Sequence, residues 1–267
     1  LQNLGKGHNN FISFGSFEMP EDTEMVRDTD ADHLFPSGFS LDGVRYAFQQ
    51  EKISEDVAFS HFSEGHGPEH PFEGQTVVEE PAMKKNAYSW GKAPRYDGYP
   101  AETGPLAELF MAANPFFSDL LKGIGSNTFL RQLARIVRPA YVMPVLDCWL
   151  KEIVPGNENF YKKNEQQENG RGFGLIQAHR GALGHWVELE DGKISNYQII
   201  TPTAWNGSPR DGKGVRGPWE EALMGTEIND PEDPIEIGHI VRSFDPCLVC
   251  CVHVVDGHGT KKTVKIL

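Results

Sequence analysis

The sequence predicts an α+β fold, predominantly helical, with a small hairpin or sheet that presents loops to a cysteine-bearing end. Three observations predict it. Apolar residues recur at helical spacing from Leu106 to Val154. The turn signal Glu190-Asp191-Gly192-Lys193 separates two strand-like runs, His185 to Leu189 and Ile194 to Ile200. Three of the 4 cysteines, Cys247, Cys250 and Cys251, crowd one short stretch, which does not look like a disulfide framework.

Composition narrows the function classes. A chain of 267 residues has length for one large domain or two small ones. A net charge of −13 argues against binding a phosphate backbone, which needs a basic surface. No apolar run reaches the length of a membrane-spanning helix. The start, Leu1-Gln2-Asn3-Leu4, has neither the charged nor the apolar region of a signal peptide, and without Met it points to a processed chain or a fragment. No internal repeat or low-complexity tract is present.

In chain order, residues 1–45 read as a solvated acidic face, with a short strand at Phe11 to Phe14 and another at Val44, Tyr46 and Phe48. The breakers between 51 and 100 predict long ordered loops. His61, His66 and His70 fall there; Gly67-Pro68 forbids a regular helix, so they read as loop or packing histidines. Residue type alone makes Lys92 and Arg95 surface charges, and Tyr88, Trp90 and Tyr96 buried anchors or an interface. Pro105 opens a helix through Leu106, Leu109 and Phe110, and Pro115 limits or restarts it. Ser126 or Asn127 caps the next helix, which Pro139 and Pro144 are expected to kink and in which Cys148 packs in the core. Residues 155–170 read as a polar connection. Gly170, Gly172 and Gly174, continuing through Ala178 to Trp186, read as a glycine-rich loop where backbone approaches a cofactor or another chain. Pro218 starts a short helix, and a last helix, Ile235 to Ser243, delivers the cysteine loop.

That loop, Asp245-Pro246-Cys247-Leu248-Val249-Cys250-Cys251-Val252-His253, carries the chemistry. Two thiolates spaced Cys-x-x-Cys can face one metal. The same spacing serves zinc sites, iron–sulfur clusters and redox dithiols, and a buried apolar cysteine cluster is the plain alternative. Pro246 stiffens the approach to Cys247, and Asp245 places a carboxylate beside it.

Asp-Pro-Cys-Leu-x-Cys-x-x-His resembles the closing motif of the [NiFe]-hydrogenase large subunit. Further stretches follow that family's order: Tyr88-Ser89-Trp90 with Lys92-Ala93-Pro94-Arg95-Tyr96, Glu102-Thr103-Gly104-Pro105-Leu106-Ala107, Arg180-Gly181-Ala182-Leu183-Gly184-His185, Thr201-Pro202-Thr203-x-Trp205-Asn206, and Ser208-Pro209-Arg210-Asp211. The resemblance spans about residues 55–267 and implies the C-terminal portion of such a subunit, with a partial large-subunit-like fold over 1–267. It implies H2 oxidation at a nickel–iron centre with CO and cyanide ligands. Cys247 would be a terminal nickel ligand, and Cys250 would bridge nickel and iron. Arg180 would lie over the open position and donate to one cyanide, and Pro202 and Thr203 would hold the other. Asp245 would orient Arg180, and Arg180 or a thiolate would take the proton of heterolytic cleavage. His253 would bind a structural Mg2+ together with the backbone carbonyl of Ile199, a carboxylate and water.

The resemblance also implies partners: an iron–sulfur small subunit, and a maturation endopeptidase cutting between His253 and Val254 to remove 254–267. The location would be periplasmic or membrane-associated through the small subunit, with the cytoplasm as the alternative. Three departures stand out. The family's N-terminal Arg-x-Cys-Gly-x-Cys motif is missing, so an N-terminal half must supply two more thiolates. His179 stands where the family has Pro, and Cys251 is an extra thiol, read as packing. Competing readings are an H2-sensing regulatory subunit, a metal-free relative such as the quinone-site subunit of respiratory complex I, and a zinc-binding module or inert fragment.

Overall fold

The computed structural model describes residues 1–19, 32–63, 65, 67–81, 83–156 and 167–247, and the backbone alone of 251–255 and 261–265. Helix and strand share these residues about equally, which corrects the expectation of a predominantly helical chain. Among the described residues, no helix is long and apolar enough to cross a membrane.

The first sheet is antiparallel, β1 (Phe11–Glu18), β2 (His33–Leu41) and β3 (Val44–Tyr46) in that order. Its first strand divides two cores. Successive side chains of a strand point to opposite faces. Phe11 therefore joins Phe35, Leu106, Leu109, Phe117 and Leu130 on one side. Ile12 joins Phe39, Tyr96, Trp186, Ile200 and Trp205 on the other.

β4 (Ile53–Asp56) and β5 (Ala93–Tyr96) pair across the breaker-rich region. Lys92 and Arg95 are not surface charges: they are 8% and 1% exposed. Lys92 Nζ lies 3.4 Å from Glu55, and Arg95 Nε lies 2.9 Å from Asp211. Both cations are buried because each has a buried carboxylate to meet. Of the three aromatics, Tyr96 is a core residue, whereas Tyr88 and Trp90 are more than half exposed. His61 packs against Trp90 with the rings tilted, and His70 bonds Gln50, both as packing histidines; His66 lies outside the described residues.

Tyr88 ties this segment to the far end of the chain. Its hydroxyl donates to Glu220 and accepts from the Arg210 amide. Burial first, then the Glu220 hydrogen bond, push its pKa up to about 12 from 10.0. A phenol held protonated when folded and ionised when unfolded binds more protons in the native state. Stability should therefore fall as pH rises from 10 to about 12. Tyr88→Phe should flatten that fall in urea titrations at stepped alkaline pH; an unchanged slope would contradict this.

Three helices follow: α1 (Pro105–Met111), α2 (Pro115–Ile124) and α3 (Thr128–Glu152). Pro occupies the first turn of α1 and α2, where its missing N–H costs nothing. The Asn127 side chain caps α3 by accepting from the Leu130 amide. α3 runs as one helix through Pro139 and Pro144, and Cys148 is only half-buried.

The second sheet is β6 (Gly170–Ala178), β7 (Gly181–Glu190) and β8 (Lys193–Ile200). The stretch read as a glycine-rich loop is thus two strands. The ladder is continuous from Gly170↔Leu189 to Ala178↔Gly181, because pairing needs only backbone. The β7–β8 hairpin turns at Asp191 and Gly192, both at positive φ, as the sequence predicts. α4 (Pro202–Asn206), α5 (Pro218–Leu223) and α6 (Ile235–Ser243) complete the main body. α6 has the predicted bounds, and Ile240 and Phe244 pack it on Ala222 of α5. Beyond it, β9 (Cys251–Val255) pairs antiparallel with β10 (Lys261–Lys265), setting His253 opposite Thr263.

Candidate metal centre

Three loops converge beside Cys247. The first turns from β6 into β7 and carries His179 and Arg180. Gly181 makes the turn at φ +132, and a Cβ there would sit 2.6 Å from the Thr103 side chain. Only glycine fits such a backbone at such a distance. The Ala182 amide then donates to Thr103 Oγ1 at 2.8 Å. Gly181→Ala should cost at least about 2 kcal/mol from backbone strain and the Thr103 clash together. Urea unfolding would measure it, and a loss well under half of that would contradict the packing.

The second loop enters α4. Thr201 caps the helix by accepting from the Ala204 amide. Asn206, at the other end of α4, grips the Thr103 backbone from both sides: Oδ1 accepts from the Thr103 amide and Nδ2 donates to its carbonyl, each at 3.0 Å. Thr103 thereby locks the Arg180 turn and α4 into one frame. Thr103 and Asn206 fall inside longer sequence motifs, and their buried mutual pairing has no local signal.

The third loop leaves α6. Asp245 adopts φ +55, which a short polar side chain tolerates, and so redirects the chain toward Cys247. The Cys247 amide donates to Thr203 Oγ1 at 3.2 Å, and Thr203 Oγ1 lies 2.9 Å from Cys247 Sγ. With the oxygen accepting from the amide, the hydroxyl proton is available to the sulfur. Thr203, expected to serve a cyanide, lies in direct contact with the Cys247 sulfur.

Asp245 faces three nitrogen-bearing side chains. Its carboxylate lies 3.4 Å from Arg180 Nε, 3.7 Å from Arg135 Nη1 and 3.9 Å from His179 Nε2. Burial lowers the Arg135 pKa; Asp245 opposes that shift and Arg180 adds to it. Arg180 Nε is shielded from solvent, yet no described residue accepts its hydrogen bond. His179 is mostly exposed.

Arg180, Pro202, Thr203, Asp245 and Cys247 are thus brought together. Cys250 lies outside the described residues. His253 is placed only by the β9 backbone, its side chain outside the description. Ile199 sits on β8 opposite His185 and lines a hollow of about 380 Å³ with Glu55, Thr76, Lys92 and Gln198. Oxygen donors suit Mg2+. Burial raises the Glu55 pKa, against the opposing charge of Lys92.

The family profile described as nickel-dependent hydrogenase matches residues 1–253. The chain belongs to the nickel-dependent hydrogenase family. It is 38% identical, over its full length, to the periplasmic [NiFeSe] hydrogenase large subunit of Desulfomicrobium baculatum, of which it covers 54%. It is 30% identical to the hydrogenase-2 large chain of Escherichia coli K12, covering 98% of this chain and 52% of that one. The fold matches the crystal structure of H2-activated [NiFeSe]-hydrogenase from D. baculatum with a TM-score of 0.80 and 34% identity, covering 92% of this chain and 52% of that one. The chain spans about half the length of these relatives. The donor set fits a nickel-dependent hydrogenase: a soft sulfur with a hydroxyl donor at its side, and a fixed guanidinium whose shielded Nε–H still has a bond to give.

Proposed function

We propose that this chain supplies one side of the nickel–iron centre of an H2-oxidising hydrogenase large subunit. The Thr203–Cys247–Asp245–Arg180 constellation carries that reading. Cys247 and Cys250 would hold the metals, with CO and cyanide completing the iron. When bound, the centre polarises H2 and takes up its electrons.

The residues of this chain do the rest. Thr203 Oγ1, 2.9 Å from Cys247 Sγ, keeps the sulfur oriented. Asp245 fixes the Arg180 guanidinium, which brings a positive charge and an unspent donor to the site without reorganisation. A thiolate takes the first proton, with the Arg180 charge beside it.

Two more thiolates must come from an N-terminal half, and electrons leave through an iron–sulfur small subunit. Exposed apolar residues of α3, among them Ile136, Met143 and Leu150, suit burial against such neighbours. The family match stops at His253, which supports removal of 254–267 by an endopeptidase after metal insertion. In the uncut chain His253 is paired to the tail through Thr263. After the cut it would bind Mg2+ with the Ile199 carbonyl. The relative named periplasmic supports a periplasmic or membrane-associated location.

The test is metal analysis with infrared spectroscopy on the chain purified with whatever subunits accompany it. Nickel and iron with CO and cyanide stretches are expected. Zinc alone, or no metal and no such bands, would overturn the reading.

A further inference from the structure

We infer that Arg131 and Arg135, one turn apart on α3, form a clamp that sets the turn carrying Cys247 and thus act as positioning residues for the metal centre. The inference goes beyond the proposed function and rests on it only for the metal-loaded readout.

The observation is a grip on four successive residues. Arg135 Nη1 donates to the Arg242 carbonyl at 3.1 Å. Arg131 Nη1 lies 3.4 Å from Ser243 Oγ. The Arg131 guanidinium stacks on Phe244, its Cζ 3.7 Å from the ring centroid. Arg135 then pairs with the Asp245 carboxylate, which also faces Arg180. Residues 131 and 135 share a helix face, so one rigid element makes all four contacts.

Arg131 is itself immobilised. It is 3% exposed, and all its N–H groups have work. Nε and Nη2 fork onto Glu102 at 2.7 and 3.0 Å, Nη2 also meets Ser126 Oγ, and Nη1 meets the Gly5 carbonyl at 2.8 Å. A charge fixed this fully is a reference point and not a floating surface group. The turn it holds needs one. Asp245 sits at φ +55, a conformation that persists where its surroundings over-determine it. Pro246 then transmits the direction stiffly to Cys247. Because Asp245 is shared, Arg135 also limits which carboxylate orientation Arg180 meets.

The test uses Arg131→Lys, Arg135→Gln and, as a comparison on the same helix, Arg138→Lys. Arg138 pairs with buried Glu108 in α1, so its variant reports loss of a buried pair without a contact in the clamp. The assembled protein is measured in three ways: alkylation rate of Cys247 in the metal-free form, resolved by peptide fragmentation from Cys148, Cys250 and Cys251, hydrogen exchange of Phe244 to Cys247, and infrared bands after loading. Arg131→Lys and Arg135→Gln should raise Cys247 alkylation about tenfold and speed exchange locally, as a loosened turn opens more often. They should also shift or broaden the infrared bands. Arg138→Lys should lower the melting temperature and leave alkylation and exchange at wild-type values. Wild-type alkylation in both clamp variants, or an equal rise in Arg138→Lys, would overturn the clamp. Should Arg131→Lys fail to fold, Arg135→Gln against Arg138→Lys decides. A wild-type protein without nickel would overturn the metal reading instead, leaving alkylation and exchange to judge the clamp.

Discussion

Cys247→Ser is expected to leave the fold standing and to abolish nickel incorporation. Serine keeps the volume and can still meet the Thr203 hydroxyl that now lies 2.9 Å from Sγ. Stability should therefore change by no more than about 1 kcal/mol, the net worth of one hydrogen bond. The chemistry does not survive. A serine oxygen is hard and stays protonated near neutrality, whereas a soft, readily ionised thiolate suits nickel. H2-dependent dye reduction by the assembled enzyme should fall at least about a thousandfold. Metal analysis and urea unfolding on one preparation separate the two effects. Wild-type nickel content in the variant would sink Cys247 as a ligand.

The largest stability loss is expected at Arg95→Ala. The guanidinium meets Asp211 at 2.9 Å and donates to the carbonyls of Pro94, Pro209 and Val215 and to Ser208 Oγ. Truncation leaves a buried carboxylate and the carbonyls of Pro94 and Pro209 without the guanidinium, while the Val215 carbonyl keeps the Asp211 amide. Breaking a buried pair from one side costs about 3–5 kcal/mol. The lower end is the better expectation, because Asp211 keeps hydrogen bonds from the Lys213 and Val215 amides. Arg95→Lys should recover only part, since an ammonium cannot fill the fork. A urea midpoint shift equivalent to less than about 1 kcal/mol would show that water replaces the guanidinium there.

Sequence and structure agree best where the signal is local. α6 is bounded by Pro234 before it and Asp245-Pro246 after it, and its predicted limits hold. The β7–β8 hairpin needed only Asp191-Gly192 to be visible. β6 was hidden because Gly170, Gly172 and Gly174 carry no side chain to alternate, although their backbone pairs normally. Helix was overestimated for the same reason: β2, with Pro36, Ser37 and Gly38, has little strand character of its own and is made by pairing to β1. In the candidate centre, Arg180, Thr203, Asp245 and Cys247 were legible through ordered motifs. Arg131 and Arg135 were not. On a helix they look like solvated charges, and only the distant return of α6 gives that face something to hold.

The buried ion pairs have a consequence for how the chain reaches this state. Glu55–Lys92, Glu102–Arg131 and Glu108–Arg138 join residues 37, 29 and 30 positions apart, and Arg95–Asp211 joins residues 116 apart. A lone charge resists leaving water, so neither member can be buried before its partner arrives. These sites are therefore expected to close late, after collapse of the two apolar cores. The longest loop lies between Arg95 and Asp211, and contacts so distant in sequence are expected to slow folding. Any interruption of the chain between those two residues would leave each half holding a charge that it cannot bury.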